Sequence, residues 1–107
     1  MKRGDLVRVA LPGDYGKPRP AVIIQSDLFE QHPSYTVLPV TSVIRATPMV
    51  RITIEPDEQT QLKVRSQIMI DKAITVPREK IGGKFGRVRE SDMLAVNRAL
   101  ALFFGLA

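Results

Sequence analysis

The chain has 107 residues, with 16 Lys and Arg against 11 Asp and Glu, a formal net charge of +5, one histidine and no cysteine. This length suits a single domain, residues 1–107. The lack of cysteine excludes disulfides and thiolate metal sites, and the lone His32 excludes a multi-histidine metal site. The positive balance favours a polyanionic partner, either nucleic acid or an acidic protein. Without a signal-peptide pattern or an apolar run of transmembrane length, a soluble cytoplasmic protein is predicted.

Short apolar segments separated by turn-forming residues predict a series of β-strands. The predicted strands span residues 6–11, 21–25, 35–40, 49–54, 67–71 and 73–76. Pro39 indicates an edge strand or a bulge, because proline cannot donate to a sheet ladder. Ser26 is expected to cap a single helical turn, and residues 12–16 and the glycines at 82, 83 and 86 are expected to form turns.

The C-terminal segment predicts the one long helix of the chain. Ser91 is the expected N-cap, followed by Asp92 in the first turn. An apolar stripe at helical spacing is expected to cover the sheet: Met93, Val96, Leu100 and Phe103. Further apolar residues widen this stripe and favour burial against a second subunit: Leu94, Leu102 and Phe104. Short strands with one terminal helix predict a mostly β fold, a small antiparallel β-barrel with a C-terminal helix.

The residues that could carry chemistry lie at strand ends. A Ser-His-Asp or Cys-His arrangement has no basis here, since His32 has no nucleophile placed near it. Pro18 and Pro20 restrict Arg19 on both sides, which suits a guanidinium that contacts phosphate. The other polar groups near strand ends are Lys17, Thr41, Ser42, Arg65, Asp71 and Lys72. The alternative for Arg19, Asp71 and Lys72 is that they are ordinary solvated surface residues.

A set of arginine, hydroxyl and carboxylate groups fits RNA cleavage by the RNA's own 2′-hydroxyl. That reaction needs a base for the hydroxyl, an acid for the leaving oxygen and positive charge at the phosphorane. Because the substrate supplies the nucleophile, the protein needs neither a metal cofactor nor an activated serine.

Several ordered blocks resemble the MazF/PemK (Kid) family of ribonuclease toxins. They extend over nearly the whole chain: Arg3-Gly4-Asp5-Leu6-Val7, Arg19-Pro20-Ala21-Val22-Ile23-Ile24, Pro39-Val40-Thr41-Ser42, residues 67–76 and residues 84–88. The resemblance implies an SH3-like barrel (CcdB/MazF-like), a homodimer and a cognate acidic antitoxin. It also implies metal-independent, sequence-specific cleavage of single-stranded RNA that leaves a 2′,3′-cyclic phosphate and a 5′-hydroxyl.

The resemblance also implies roles for individual residues. Arg19 and Thr41 are expected to be catalytic, with Asp71 as a possible base. Ser42 is expected to join them in binding RNA. Apart from the resemblance, further residues are expected to bind RNA because they are polar or positively charged and lie near strand ends: Lys17, Arg65, Gln67 and Lys72.

The chain departs from the PemK branch at two places. Met69 stands where that branch has the arginine that acts as general acid, and a thioether cannot donate a proton. The turn at residues 12–16 also lacks the histidine of that branch.

An alternative function comes from the gyrase poison CcdB, which resembles the family in fold, is not an enzyme and acts through its C-terminal helix. The chain end Phe103-Phe104-Gly105-Leu106-Ala107 has a similar aromatic-Gly-apolar pattern, and an inert binding module is a third possibility.

Overall fold

A computed structural model describes residues 1–11, 13 and 17–107. Of the turn predicted at residues 12–16, only Gly13 is described, and it lies in a turn with φ +87°. In this part of the chain the strands are β1 (Asp5–Ala10), β2 (Pro18–Ile23), β3 (Ser34–Thr41), β4 (Arg51–Ile54), β5 (Ser66–Met69), β6 (Ile74–Pro77) and β7 (Ile81–Arg87). The α-helix α1 spans Glu90–Phe103, and one-turn 3-10 helices span Asp27–Phe29, Ile70–Lys72 and Arg78–Lys80.

The strands form one antiparallel sheet in the order β4-β5-β3-β2-β1-β7, with β6 paired to the first half of β3. The mostly β class with a C-terminal helix is therefore confirmed. The sheet path ends at β4 and β7, so the predicted barrel is not closed by a continuous ladder. The hairpin of β1 and β2 runs from Leu6 opposite Val22 to Ala10 opposite Pro18, and this register positions the candidate site described below.

The sheet is apolar on both faces, because successive residues of a strand point to opposite sides. On one face, β1 to β3 supply Leu6, Val22 and Leu38 to a cluster that includes Val96 and Ala99 of α1. The other face forms a second cluster: Val7, Val9, Ala21, Ile23, Tyr35, Val37 and Val76. Burial on both faces explains why these strands read as apolar runs rather than as alternating patterns.

Strand β2 begins at Pro18, three residues before its predicted start at residue 21. Over Pro18 and Arg19 it pairs with β1, whereas its pairing with β3 begins at Ala21. One side of the strand is thus unpaired where the prolines lie, so their missing N–H groups do not interrupt a second ladder. Arg19 consequently lies within a strand, not in a loop that enters the sheet.

Pro39 does not mark an edge strand, because β3 has partners on both sides. Ala21 of β2 lies opposite Pro39. On the other side, β6 pairs as far as Val37 and β5 begins at Val40, which leaves Pro39 in the gap between these two partners. Pro39 therefore lies where neither β5 nor β6 is paired with β3, so its missing N–H interrupts no ladder.

The glycines predicted to form turns lie in strand β7. A Cβ built on Gly86 would come 2.0 Å from the carbonyl oxygen of Thr60, in the loop that follows β4. This loop packs directly on the strand, and Arg87 N donates to the carbonyl of Gln59 at 2.9 Å. Glycine is required at position 86 by this close backbone approach, which the one-dimensional pattern does not reveal.

Asp5 links the first and last strands beneath the surface. Its buried carboxylate accepts hydrogen bonds from Lys2 N at 2.8 Å and from the Arg87 guanidinium at 2.7 Å, and Lys84 Nζ lies 3.3 Å away. Burial acts to raise the pKa of Asp5, but these donors together outweigh it and lower the pKa below its ordinary value. The ionised carboxylate therefore stabilises the β1–β7 pairing.

Helix α1 begins at Glu90 after Arg89, which makes no side-chain cap, so the predicted Ser91 cap is wrong. Val96 and Ala99 are buried, and Met93 and Leu100 pack against the first cluster. The prediction that Phe103 covers the sheet is also wrong, since 49% of its surface is exposed. It joins an exposed apolar group at this end of the chain: Leu94, Leu102, Phe104 and Leu106. Among the described residues, α1 and the shorter helices fall short of the length and apolarity needed to cross a membrane.

Candidate active site

A groove of about 500 Å³ opens where β1, β2, β3 and β5 meet the loop after β4. Its described lining includes Arg8 of β1, Arg19 of β2, Thr41 of β3 and Met69 of β5, with Phe85 contributed by β7. Residues 61–64 of the loop form the remaining wall, which includes Lys63. The groove therefore brings together residues that are far apart in sequence.

Arg19 and Thr41 approach each other because of the sheet register. The β2–β3 ladder pairs Ile23 with Val37 and Ala21 with Pro39. Continued by two residues within the same strands, this register places Arg19 across from Thr41. Both side chains line the groove, and Arg19 is exposed. A guanidinium and a hydroxyl on adjacent strands can bind different oxygens of one phosphate.

The Thr41 hydroxyl is oriented by the turn that follows β3. Its Oγ1 accepts a hydrogen bond from Val43 N at 3.1 Å, so its own proton remains available to donate to a ligand. Ser42, the next residue, is exposed and also lines the groove. The pair predicted from the Thr-Ser block thus presents two hydroxyls to the same space as Arg19.

Gln67 holds this turn from beneath rather than facing the groove. The residue is 4% exposed. Its Oε1 accepts from Arg45 N at 3.0 Å, while its Nε2 donates to the Arg45 carbonyl at 3.0 Å and to Thr53 Oγ1 at 3.2 Å. Arg51 also donates to Gln67 Oε1 at 3.4 Å and to the Val43 carbonyl at 3.3 Å. Gln67, predicted to bind RNA, therefore lies outside the described groove lining, and its amide holds the backbone of Arg45 at the end of the segment that follows Thr41.

The charged side chains in the described lining of the groove are all positive. Arg8, Arg19 and Lys63 supply three cations, and none of the described residues in its lining is acidic. A concave surface with charges of one sign concentrates ligands of the opposite charge. This arrangement suits a polyanion that threads through the groove.

Sequence reasoning did not identify Arg8, Lys63 or Phe85 as site residues. The guanidinium of Arg8 lies 4.7 Å from the centroid of the Phe85 ring, and both line the groove. One signal was present in the sequence, because Arg8 interrupts an otherwise apolar first strand. Phe85 and Lys63 carried no comparable signal, since β7 and the loop after β4 reach the groove only through the tertiary fold.

The other predicted site residues lie outside the groove lining. Asp71 and Lys72 are exposed on the 3-10 helix Ile70–Lys72, which begins directly after groove-lining Met69. The predicted strand at residues 67–71 ends at Met69, so Asp71 is not a strand-end residue. Arg65 forms an exposed ion pair with Glu55 at 2.8 Å. Lys17 is exposed before β2. The structure therefore brings together Arg19, Thr41 and Ser42 but not these four side chains.

Comparison with known proteins agrees with the fold and with these motifs. Residues 2–104 match the family described as PemK-like, MazF-like toxin of type II toxin-antitoxin system. A probable endoribonuclease MazF of Mycolicibacterium smegmatis (strain ATCC 700084 / mc(2)155) is 46% identical over 108 residues, covering 100% of this chain and 99% of the relative.

Two solved structures share the fold over almost their full lengths. The Mycobacterium tuberculosis toxin MazF-mt6 superposes with a TM-score of 0.82 at 22% identity, covering 96% of this chain and 98% of that one. An endoribonuclease in complex with its cognate antitoxin, from a mycobacterial species, gives a TM-score of 0.81 at 21% identity, covering 100% and 97%.

Proposed function

Because the chain belongs to the PemK-like, MazF-like family of toxins of type II toxin-antitoxin systems, we propose that it is an endoribonuclease whose active site is the cationic groove. The observation that carries this assignment is that Arg19 and Thr41 line one groove together with two further cations, Arg8 and Lys63. The substrate we propose is single-stranded RNA, because a groove lined by cations and apolar side chains suits an unpaired strand.

In the proposed reaction, the 2′-hydroxyl of RNA attacks the adjacent phosphorus and the 5′-oxygen of the next nucleotide leaves. Arg19 stabilises the charge that develops on the phosphorane, and the hydroxyls of Thr41 and Ser42 donate to its oxygens. The products are a 2′,3′-cyclic phosphate and a 5′-hydroxyl end. Cleavage needs no metal in this scheme, because the substrate carries the nucleophile and Arg19 supplies positive charge at the phosphate.

The described lining of the groove contains no carboxylate or histidine that could act as acid or base. Met69 lines the groove at the position where a PemK arginine would act as acid, and it cannot transfer a proton. Asp71 was expected to be a possible base, but it is exposed and does not line the groove. We therefore assign the chemical step to Arg19 and Thr41, with proton transfer to and from water at an open site.

Two partners complete the proposal. The exposed apolar side chains of α1 and the residues after it support a homodimer in which a second copy covers them: Leu94, Leu102, Phe103, Phe104 and Leu106. The net positive charge and the cationic groove support an acidic antitoxin segment that competes with RNA for the same space. We propose that it acts in the cytoplasm, where it would inhibit translation by cutting RNA. The CcdB alternative is not favoured, since the family match over residues 2–104 is to PemK and MazF toxins.

The test of the activity is a cleavage assay with purified protein, single-stranded RNA and excess EDTA. The proposal predicts fragments with 5′-hydroxyl ends, which a kinase can label without prior phosphatase treatment. Fragments with 5′-phosphate ends, or complete loss of cleavage on chelation, would contradict it.

A further inference from the structure

We propose that Arg8 and Phe85 form a base-stacking subsite that holds one nucleobase of the RNA in the same groove as the phosphate bound at Arg19. This inference rests on the proposed ribonuclease function and adds the residues that grip a base. It concerns two side chains to which the sequence analysis assigned no role.

The Phe85 ring packs against the core, and the Arg8 guanidinium lies over this ring. Phe85 is half-buried and packs against the cluster beneath α1. The Arg8 guanidinium lies 4.7 Å from the ring centroid, while the residue itself is exposed and lines the groove. The aromatic ring thus supports a planar cation that remains accessible from the groove.

The β1–β7 pairing keeps this cation accessible. Val7 pairs with Lys84 and Val9 with Ile81, so β7 has one extra residue opposite Arg8. That segment is Gly82 and Gly83, which carry no side chains to cover Arg8. A Cβ on Gly82 would lie 3.2 Å from the Arg8 carbonyl, whereas a Cβ on Gly83 would meet nothing within 4 Å. The irregular pairing brings the backbones close and leaves open space beside the Arg8 side chain.

The position of the pair relates it to the proposed catalytic arginine. The Cα partner of Arg8 across the β1–β2 ladder is Pro20, and Pro20 follows Arg19 directly in β2. Arg19 lies opposite Val9, so the two arginines leave the hairpin on opposite faces, but both line the groove. A base on Arg8 would therefore belong to the same bound strand as the phosphate at Arg19. Single-stranded RNA is recognised through bases that stack on aromatic rings and on guanidinium planes. Ring, guanidinium and base would form three layers, with the positive layer attracting the phosphates as well.

Planarity separates this subsite from a simple phosphate contact. Lysine keeps the charge of Arg8 but has no flat surface on which a base can stack. Leucine at position 85 keeps the apolar contact with the core but removes the ring. Arg8→Lys and Phe85→Leu therefore remove stacking while preserving charge and burial, respectively.

The experiment measures binding of a synthetic RNA that spans a mapped cleavage position and carries a 2′-deoxy nucleotide there, so that it binds without being cut. A set of matched RNAs replaces each flanking nucleotide in turn with an abasic one. The proteins are wild type, Arg8→Lys, Phe85→Leu and, as control, Lys80→Ala, which removes a cation from an exposed position outside the groove. Far-UV circular dichroism and melting curves identify any variant that fails to fold.

The subsite predicts that Arg8→Lys and Phe85→Leu bind the complete RNA about tenfold more weakly, the lower part of the range for one lost base stack. At one abasic position, wild type should lose the same factor and the two variants should lose nothing further. Equal binding of Arg8→Lys and wild type to every RNA would overturn the proposal, as would a defect that persists at all abasic positions. If wild type cleaves no RNA, the proposed function fails first; if it cleaves and Arg8→Lys is unaffected, only the subsite fails.

Discussion

Replacing Gln67 by leucine tests whether the turn after β3 is held from below. Leucine keeps the buried volume in a similar shape, so the apolar packing changes little. It removes the amide that joins both backbone groups of Arg45, at 3.0 Å each. The substitution therefore releases the backbone of Arg45, at the far end of the segment that follows Thr41, without altering any group that lines the groove.

The magnitude follows from the two backbone hydrogen bonds. Each contributes about 1 kcal/mol net, so opening of the turn becomes easier by about 2 kcal/mol. At 1.4 kcal/mol per factor of ten, the Arg45 amide should exchange its hydrogen about 30-fold faster in the variant. Cleavage should fall by roughly three- to tenfold, because Thr41 stays in the β3–β5 ladder whereas the segment that follows it, beginning with Ser42, is less well ordered and small misplacements of contacting groups are costly.

The assay combines amide exchange measured by NMR with single-turnover cleavage. Thr53→Val is the matched control, since it removes only the 3.2 Å bond from Gln67 Nε2 to Thr53 Oγ1 and leaves both Arg45 bonds intact. It should change exchange at Arg45 by less than about threefold. If Gln67→Leu leaves both Arg45 exchange and cleavage unchanged, the hydrogen bonds between Gln67 and the Arg45 backbone have no role in ordering the site.

Three further predictions concern acid stability, assembly and inhibition. The lowered pKa of Asp5 means that its stabilisation is complete above about pH 4 and is lost as pH falls through the folded-state pKa. In urea unfolding between about pH 5 and pH 2.5, Asp5→Asn should therefore show a flatter decline than wild type, and equal slopes would exclude this role. Light scattering should report a dimer at micromolar concentration and a shift toward monomer for Phe104→Ser; a monomeric wild type would contradict the assembly. Lys63→Glu should weaken binding of RNA and of an acidic antitoxin peptide together, more than Lys80→Glu does, and unimpaired RNA binding by a saturated antitoxin complex would exclude a shared groove.

Much of the fold was predictable because local signals and tertiary structure agree. Strands with apolar, β-branched residues appear close to their predicted positions, and Ser26 caps its helical turn by accepting from Leu28 N. The terminal helix was evident from its apolar spacing. The Arg-Pro and Thr-Ser blocks identified Arg19 and Thr41, which the register then places on adjacent strands in one groove.

The errors arise where long-range contacts override local preference. The glycines of β7 resemble turn residues. At position 86, however, glycine is required because the Thr60 carbonyl leaves no room for a Cβ atom. Gln67 resembles an RNA-contacting polar residue, but its burial and its bonds to Arg45 are properties of the folded chain. Asp71 follows an apolar run that predicts a strand, whereas the strand ends at Met69 and a 3-10 helix follows. Lys63 joins the groove only because its loop folds back over the sheet.

The central claim is that Arg19 in the groove stabilises the cleavage transition state. Single-turnover cleavage of one RNA in EDTA should be compared for wild type, Arg19→Ala, Arg19→Lys and the distant control Lys80→Ala. We expect Arg19→Ala to be about 10²- to 10³-fold slower, as for loss of one donor to a developing oxyanion. Arg19→Lys should recover only part of the rate because it lacks the planar fork of donors, and Lys80→Ala should resemble wild type. A folded Arg19→Ala protein that cleaves at the wild-type rate would contradict the assignment of this groove as the active site.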